Sequence, residues 1–113
     1  MAAYVPRRGD LVWLSFSPQA GHEQAGHRPG LVVSPESYNR RTGLALFCPI
    51  TSRKRGYPFE VELMGTTVAG VVLSDQIRSL DWKERRVKLI TEAPAEVMTE
   101  VLGKLLTLIE EES

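Results

Sequence analysis

The sequence predicts an α+β fold: a small SH3-like antiparallel β-barrel, or strongly bent sheet, with a C-terminal amphipathic helix and short helical turns. Three observations predict it. Short β-prone runs recur at intervals of roughly ten to fifteen residues, as in small all-β units. The hydrophobic period changes from two to about 3.6 after Pro94, as it does where strands give way to a helix. A chain of 113 residues, 42% hydrophobic and 25% charged, fits one domain over residues 1–113 with a modest core.

Gly9 and Asp10 make a turn signal before LVWLSF, the first strand. Pro18 stops it, and residues 18–28 form a long loop. Pro29, whose missing amide is tolerated at a strand start, opens LVVS as the second strand. Residues 35–43, with Pro35, Asn39, Arg40, Arg41 and Gly43, read as a polar, turn-rich connection to a third strand, LALFCPI. Thr51 stands just past its end. SRKRGYP is a basic loop, FEVEL alternates as a fourth strand, and GTTVAG is a Gly-bounded turn. VVLSDQIRSL reads as a strand interrupted by a polar site, Asp81 caps a short turn through Trp82, and RVKLI is a last strand.

From Pro94, which suits a first helical turn, Val97, Met98, Val101, Leu102, Leu105, Leu108 and Ile109 fall on one helical face. Glu100 and Lys104 form a favourable i, i+4 pair, and Gly103 marks close packing. The Glu110 to Glu112 run opposes the helix dipole and predicts fraying.

The formal net charge is zero but unevenly spread. Residues 1–89 carry thirteen Lys and Arg against eight Asp and Glu, a net of +5, whereas residues 90–113 carry one Lys and six Glu, a net of −5. A basic body is thus compatible with a polyanionic partner. The single cysteine, Cys48, excludes an internal disulfide and reads as a buried core thiol. The N-terminus lacks an apolar signal core, and no apolar run approaches the ~18 residues of a membrane span, so a cytoplasmic protein without membrane contact is expected.

The stretch HEQAGHRPGLVVS, residues 22–34, concentrates reactive side chains ahead of a strand. Metal binding by His22, Glu23 and His27 is disfavoured, because glycines and Pro29 prevent the helical H-x-x-x-H geometry; no metal or cofactor is expected. Metal-free phosphodiester cleavage fits better, since it requires a base, cationic donors and an acid. Arg28 offers a planar fork of donors to a phosphate, and Glu23 is the nearest candidate base. Thr51 adds a hydroxyl beside the Arg28 loop if those strands pair. Arg53, Lys54 and Arg55 supply charge for flanking phosphates, and Tyr57 or Phe59 can stack on a base.

The stretches GDLVWLSFSP, EQAGHRPGLVVSP, CPITSRKRGYPFEV and GVVLSDQIRSLDW occur in the order found in MazF/PemK-type toxins, and over about four fifths of its length the chain resembles that family. The resemblance implies a sequence-specific, metal-independent endoribonuclease (mRNA interferase) cleaving single-stranded mRNA. It also implies a homodimer and inhibition by a MazE-like antitoxin whose acidic C-terminal segment occupies the RNA groove. By position, it places the active-site arginine on Arg28, the threonine on Thr51 and an acidic position on Glu23. His27, Asp75 and Gln76 match further motif positions at the RNA-binding surface, His27 for loop ordering or proton transfer and Asp75 and Gln76 for structural support or RNA contact. Gly30 departs from the more common Ala, and the RKRG loop is more basic than usual, so the recognised base sequence does not transfer. Two other readings remain open: a non-catalytic nucleic-acid-binding barrel and a gyrase-targeting toxin on the same scaffold.

Overall fold

A computed structural model describes residues 3–16 and 27–110. Along the chain run β1 (Asp10–Ser15), β2 (His27–Val32), α1 (Glu36–Thr42), β3 (Leu44–Thr51), β4 (Glu60–Glu62), β5 (Val71–Leu73), β6 (Arg78–Asp81), β7 (Lys88–Glu92) and α2 (Ala95–Leu106). All strand pairs are antiparallel, in the order β4-β5-β3-β2-β1-β7, with β6 beside the first half of β3. The α+β class, the antiparallel sheet and the C-terminal helix are as expected. The sheet is open, however: β4, only three residues long and with α2 packed near it, does not pair with β7.

The apolar runs of β1, β2 and β3 are continuous because both faces of the sheet are covered. Successive residues go to opposite sides. Leu11, Leu31, Cys48, Ile50, Val61 and Val72 pack beneath Val97, Val101 and Leu105 of α2. Val12, Leu14, Val32, Ala45, Phe47, Leu80 and Trp82 form the second cluster.

One element differs from the sequence expectation in kind. Residues 36–42 form α1, not a turn-rich connection. Pro35 precedes it, Glu36 lies in its first turn, Arg40 and Arg41 complement its dipole, and Gly43 closes it at φ +75°. Asn39, read as a turn residue, is fully buried and acts as a hub: its Nδ2 donates to the carbonyls of Pro6 (2.8 Å) and Ser34 (3.1 Å), and its Oδ1 accepts from Ser34 Oγ (2.5 Å). Trp82 Nε1 donates to the Asn39 carbonyl at 2.9 Å.

Smaller differences concern α2. Pro94 is its N-cap, and its helical face ends at Leu105: Leu108 and Ile109 are exposed. Gly103 is exposed, with no atom within 4 Å of where a Cβ would stand, so it does not mark close packing. The Glu100 to Lys104 pair is present at 3.3 Å. Of the acidic run, Glu111 and Glu112 lie outside the described residues. Asp81 caps its turn as expected, its Oδ1 accepting from the amides of Lys83 and Glu84, both at 3.0 Å. Among the described residues, no helix is long and apolar enough to cross a membrane.

Candidate active site

Strand register decides which polar groups meet. β2 already pairs with β1 from His27, so Pro29 lies inside the strand, opposite Trp13; pairing with β3 begins only at Gly30, leaving the proline amide position on a free stretch. Gly30 stands opposite Pro49. Continuing that register by two residues sets Arg28 across from Thr51, on one face of the sheet. Thr51 in turn pairs with Val71 of β5.

The interruption expected in VVLSDQIRSL lies on the same side. Extending the pairing of Ile50 with Val72 would bring Asp75 opposite Phe47, yet Arg78 stands there, three residues further on. The extra residues bulge out as the turn at Ser74 and Asp75. Ser74 is fully buried and holds the bulge down: its amide (3.1 Å) and its hydroxyl both donate to the Phe59 carbonyl. Gln76 is thereby presented beside Leu73.

Between the bulge and the basic loop opens a cleft of about 210 Å³ lined by Thr51, Arg53, Arg55, Tyr57, Glu60, Leu73 and Gln76. Thr51 is half-buried, and its Oγ1 accepts the Arg53 amide at 3.1 Å. A hydroxyl that accepts in this way keeps its own proton for a ligand oxygen. Behind it, Gly70 has φ +124°, and a Cβ there would stand 2.4 Å from the Thr51 carbonyl oxygen, so glycine is required for β5 to support Thr51.

The cations divide into two groups. Lys54 pairs with Glu62 (3.0 Å), Arg40 with Glu36 (2.5 Å), and Arg8 and Arg85 donate to backbone carbonyls. Arg28, Arg53 and Arg55 are exposed, and among the described residues no side-chain hydrogen bond or ion pair engages their guanidinium groups. Arg41, Arg86 and Lys88 are likewise unengaged but are dispersed over α1, the β6–β7 turn and β7.

Of the residues proposed from sequence, Thr51, Arg53, Arg55, Tyr57 and Gln76 line one cleft; Arg28 is not among its lining residues and stands opposite Thr51 only when the β2–β3 register is continued past Gly30. His27 opens β2 opposite Ser15. Lys54 is turned to Glu62, away from the cleft lining, and Asp75 is exposed on the bulge. Phe59 is half-buried, held through its carbonyl by Ser74. Glu23 and His22 lie outside the described residues.

Cys48 is buried, and burial with the Asp75 charge nearby raises its thiol to about 12, which makes it inert as a nucleophile near neutrality. Four contributors escaped the sequence reading: Glu60, Gly70, Arg85 and the tertiary role of Lys104. Only Gly70 carried a signal, as a glycine directly before a β-branched strand. Arg85 Nη1 donates to the carbonyls of Ser15 (3.0 Å) and Phe16 (2.8 Å), fixing the end of β1 from a distant turn.

Comparison with known proteins identifies the family. Residues 7–109 match the model of the family described as "PemK-like, MazF-like toxin of type II toxin-antitoxin system". The endoribonuclease toxin MazF of Escherichia coli K12 is 49% identical over 110 residues, covering 96% of this chain and 98% of that protein. The Escherichia coli endoribonuclease PemK is 40% identical over 107 residues, covering 90% and 80%. In a crystal structure of MazF from Deinococcus radiodurans, a chain 59% identical superposes with a TM-score of 0.86, covering 95% of this chain and 98% of that one. A chain in a MazE–MazF crystal structure from the same organism is 51% identical, with a TM-score of 0.85 and coverage of 97% and 100%. The cleft that Thr51 lines with Arg53, Arg55 and Tyr57 is therefore found on a chain that belongs to the PemK-like, MazF-like toxin family of type II toxin–antitoxin systems.

Proposed function

We propose that the protein is a metal-independent endoribonuclease of the cytoplasm that cleaves single-stranded mRNA at specific sequences, the toxin of a toxin–antitoxin pair. The observation carrying this reading is one cleft lined by Thr51, whose hydroxyl proton is left available, and by Arg53 and Arg55, whose guanidinium groups have no partner among the described residues. The curated relatives, named as endoribonucleases, support it over nearly the whole chain.

In the proposed reaction the ribose 2′-oxygen attacks the adjacent phosphorus as its proton passes to a base. The P–O2′ bond forms, the P–O5′ bond breaks, and the leaving 5′-oxygen takes up a proton. The products are a 2′,3′-cyclic phosphate, or the 3′-phosphate after its hydrolysis, and a 5′-hydroxyl. Arg28 and the Thr51 hydroxyl donate to the nonbridging oxygens as charge accumulates there. Glu23 is assigned as the base, with His27 ordering the loop that carries it. Arg53 and Arg55 hold flanking phosphates, Tyr57 offers a stacking face, and Gln76 can address a base edge. Lys54 and Asp75 serve at the margin of this surface.

The same cations would receive an acidic segment of a MazE-like antitoxin, which would compete with RNA. A homodimer is proposed from the family resemblance, and exposed apolar side chains such as Trp13, Met64 and Leu106 leave surface for association.

The test is incubation of the purified protein with long single-stranded RNA in EDTA. Discrete fragments with 5′-hydroxyl ends are expected. Intact RNA in a retarded band would make the protein a non-catalytic binder, and intact, unbound RNA would direct attention to a protein target such as gyrase.

A further inference from the structure

The loop between β3 and β4 poses an electrostatic problem. Arg53, Lys54 and Arg55 are consecutive and all exposed, so their mutual repulsion works against any one ordered shape. Its order is imposed through the backbone. The Glu60 carboxylate accepts from the Arg55 amide (3.2 Å to Oε1, 3.0 Å to Oε2) and from the Gly56 amide (3.0 Å to Oε1). Two successive amides pointing at one anion form a nest, and Gly56 permits it with φ +83°. Glu60 binds the backbone of the loop, not its guanidinium groups, so Arg53 and Arg55 remain free while the chain that carries them is held.

A second contact closes the loop from outside the sheet. Lys104 of α2 donates through Nζ to the carbonyls of Pro58 (2.5 Å) and Glu60 (3.1 Å), and its pairing with Glu100 at 3.3 Å steadies the ammonium. The Glu60 backbone is itself fixed by pairing with Leu73, on the wall of the cleft.

We propose that Glu60 and Lys104 are positioning residues: they clamp the 52–58 loop in the shape that binds RNA, Glu60 at its middle and Lys104 at its exit. This rests on the ribonuclease reading. With its oxygens occupied by loop amides, Glu60 orders the binding surface and takes no part in proton transfer.

The experiment measures kcat and KM of Glu60→Ala, Glu60→Gln and Lys104→Met on a short RNA containing a site the wild type cuts, together with hydrogen exchange at the Arg55 and Gly56 amides without RNA. Losing charge-assisted bonds that pre-order a binding loop is expected to raise KM about 10-fold in Glu60→Ala, with kcat within about twofold of wild type. Glu60→Gln, which keeps an accepting oxygen, should fall between the two, and Lys104→Met should raise KM about threefold. The Arg55 and Gly56 amides should exchange faster in Glu60→Ala while β1, β2 and β3 stay protected.

An unchanged KM in both Glu60 variants, or a fall in kcat at constant KM, would overturn the proposal. Should Glu60→Ala unfold, Glu60→Gln decides by the same KM criterion. If the wild type leaves RNA intact, the ribonuclease reading fails by itself, and freed or unchanged loop amides in the Glu60 variants then support or overturn the clamp.

Discussion

At one end of β3, from Leu44 to Phe47, polar side chains are consumed by the fold; at the other, from Pro49 to Thr51, the guanidinium groups of Arg28, Arg53 and Arg55 have no partner among the described residues. At the first end, Asn39, Ser34 and Trp82 lock α1, β3 and the turn after β6 together, and Ser34 Oγ also accepts the Leu46 amide at 2.8 Å. No buried side-chain polar atom among the described residues lacks a partner. At the second end, Arg28, Arg53 and Arg55 face solvent, and backbone devices such as Gly70, the Ser74 bulge and the Glu60 nest hold the chain in place beneath them. Stability is concentrated where hydrogen bonds are saturated. Binding capacity is concentrated where they are withheld.

Mutations at the two ends should therefore separate stability from activity. Asn39→Ala orphans the carbonyls of Pro6 and Ser34 and the Ser34 hydroxyl, so a loss of about 2–4 kcal/mol in denaturant unfolding is expected, with kcat near wild type at temperatures where the protein stays folded. If Asn39→Ala lowered kcat without changing stability, the division between the ends would be wrong. Gly70→Ala should act the other way. A Cβ pressed against the Thr51 carbonyl must shift Thr51, and a displacement of that kind is expected to cost about 10- to 100-fold in kcat. Wild-type turnover in Gly70→Ala would show that the position of Thr51 does not matter.

Salt sharpens the contrast at lower cost in effect size. Each lost single-strand phosphate contact should flatten the log–log dependence of RNA affinity on salt by about 0.7, so Arg55→Ala is expected to do so and Arg40→Ala, paired with Glu36, is not. Equal slopes for the two variants would remove the distinction between engaged and free cations.

The smallest effect concerns Cys48. Its thiol is raised from 9.0 to about 12, first by burial and then by the Asp75 charge. Below pH 9 both folded and unfolded chains keep the proton; above it the unfolded chain releases it first. Stability from this group is full below pH 9 and is lost as pH rises toward 12, with a slope of at most about 1.4 kcal/mol per pH unit. Tyr4, raised by burial and by its hydrogen bond to Asp10, adds in the same direction. Cys48→Ala should give a shallower alkaline decline, measured between pH 9 and 10.

The sequence was most legible where period and turn chemistry agreed. β1, β3 and the 95–105 face of α2 follow directly from apolar runs bounded by Gly, Asp or Pro. α1 was obscured because Asn39, Arg40 and Arg41 resemble turn residues; only burial of Asn39 in a tertiary network makes them helical. The family motifs pointed to Arg28, Thr51 and Gln76; Thr51 and Gln76 line one cleft, and continuing the β2–β3 register sets Arg28 opposite Thr51. Glu60 and Lys104 were not legible as a pair. They are 44 residues apart, and their connection exists only through carbonyls that the fold brings under α2.

The account rests most heavily on Arg28 as the donor that meets the phosphate opposite Thr51. The direct measurement is the cleavage rate of a long single-stranded RNA by Arg28→Ala, alongside its thermal unfolding. Removal of one charge-stabilising donor predicts a rate lower by about 10²- to 10³-fold with an unchanged melting curve. Wild-type cleavage by folded Arg28→Ala would contradict it.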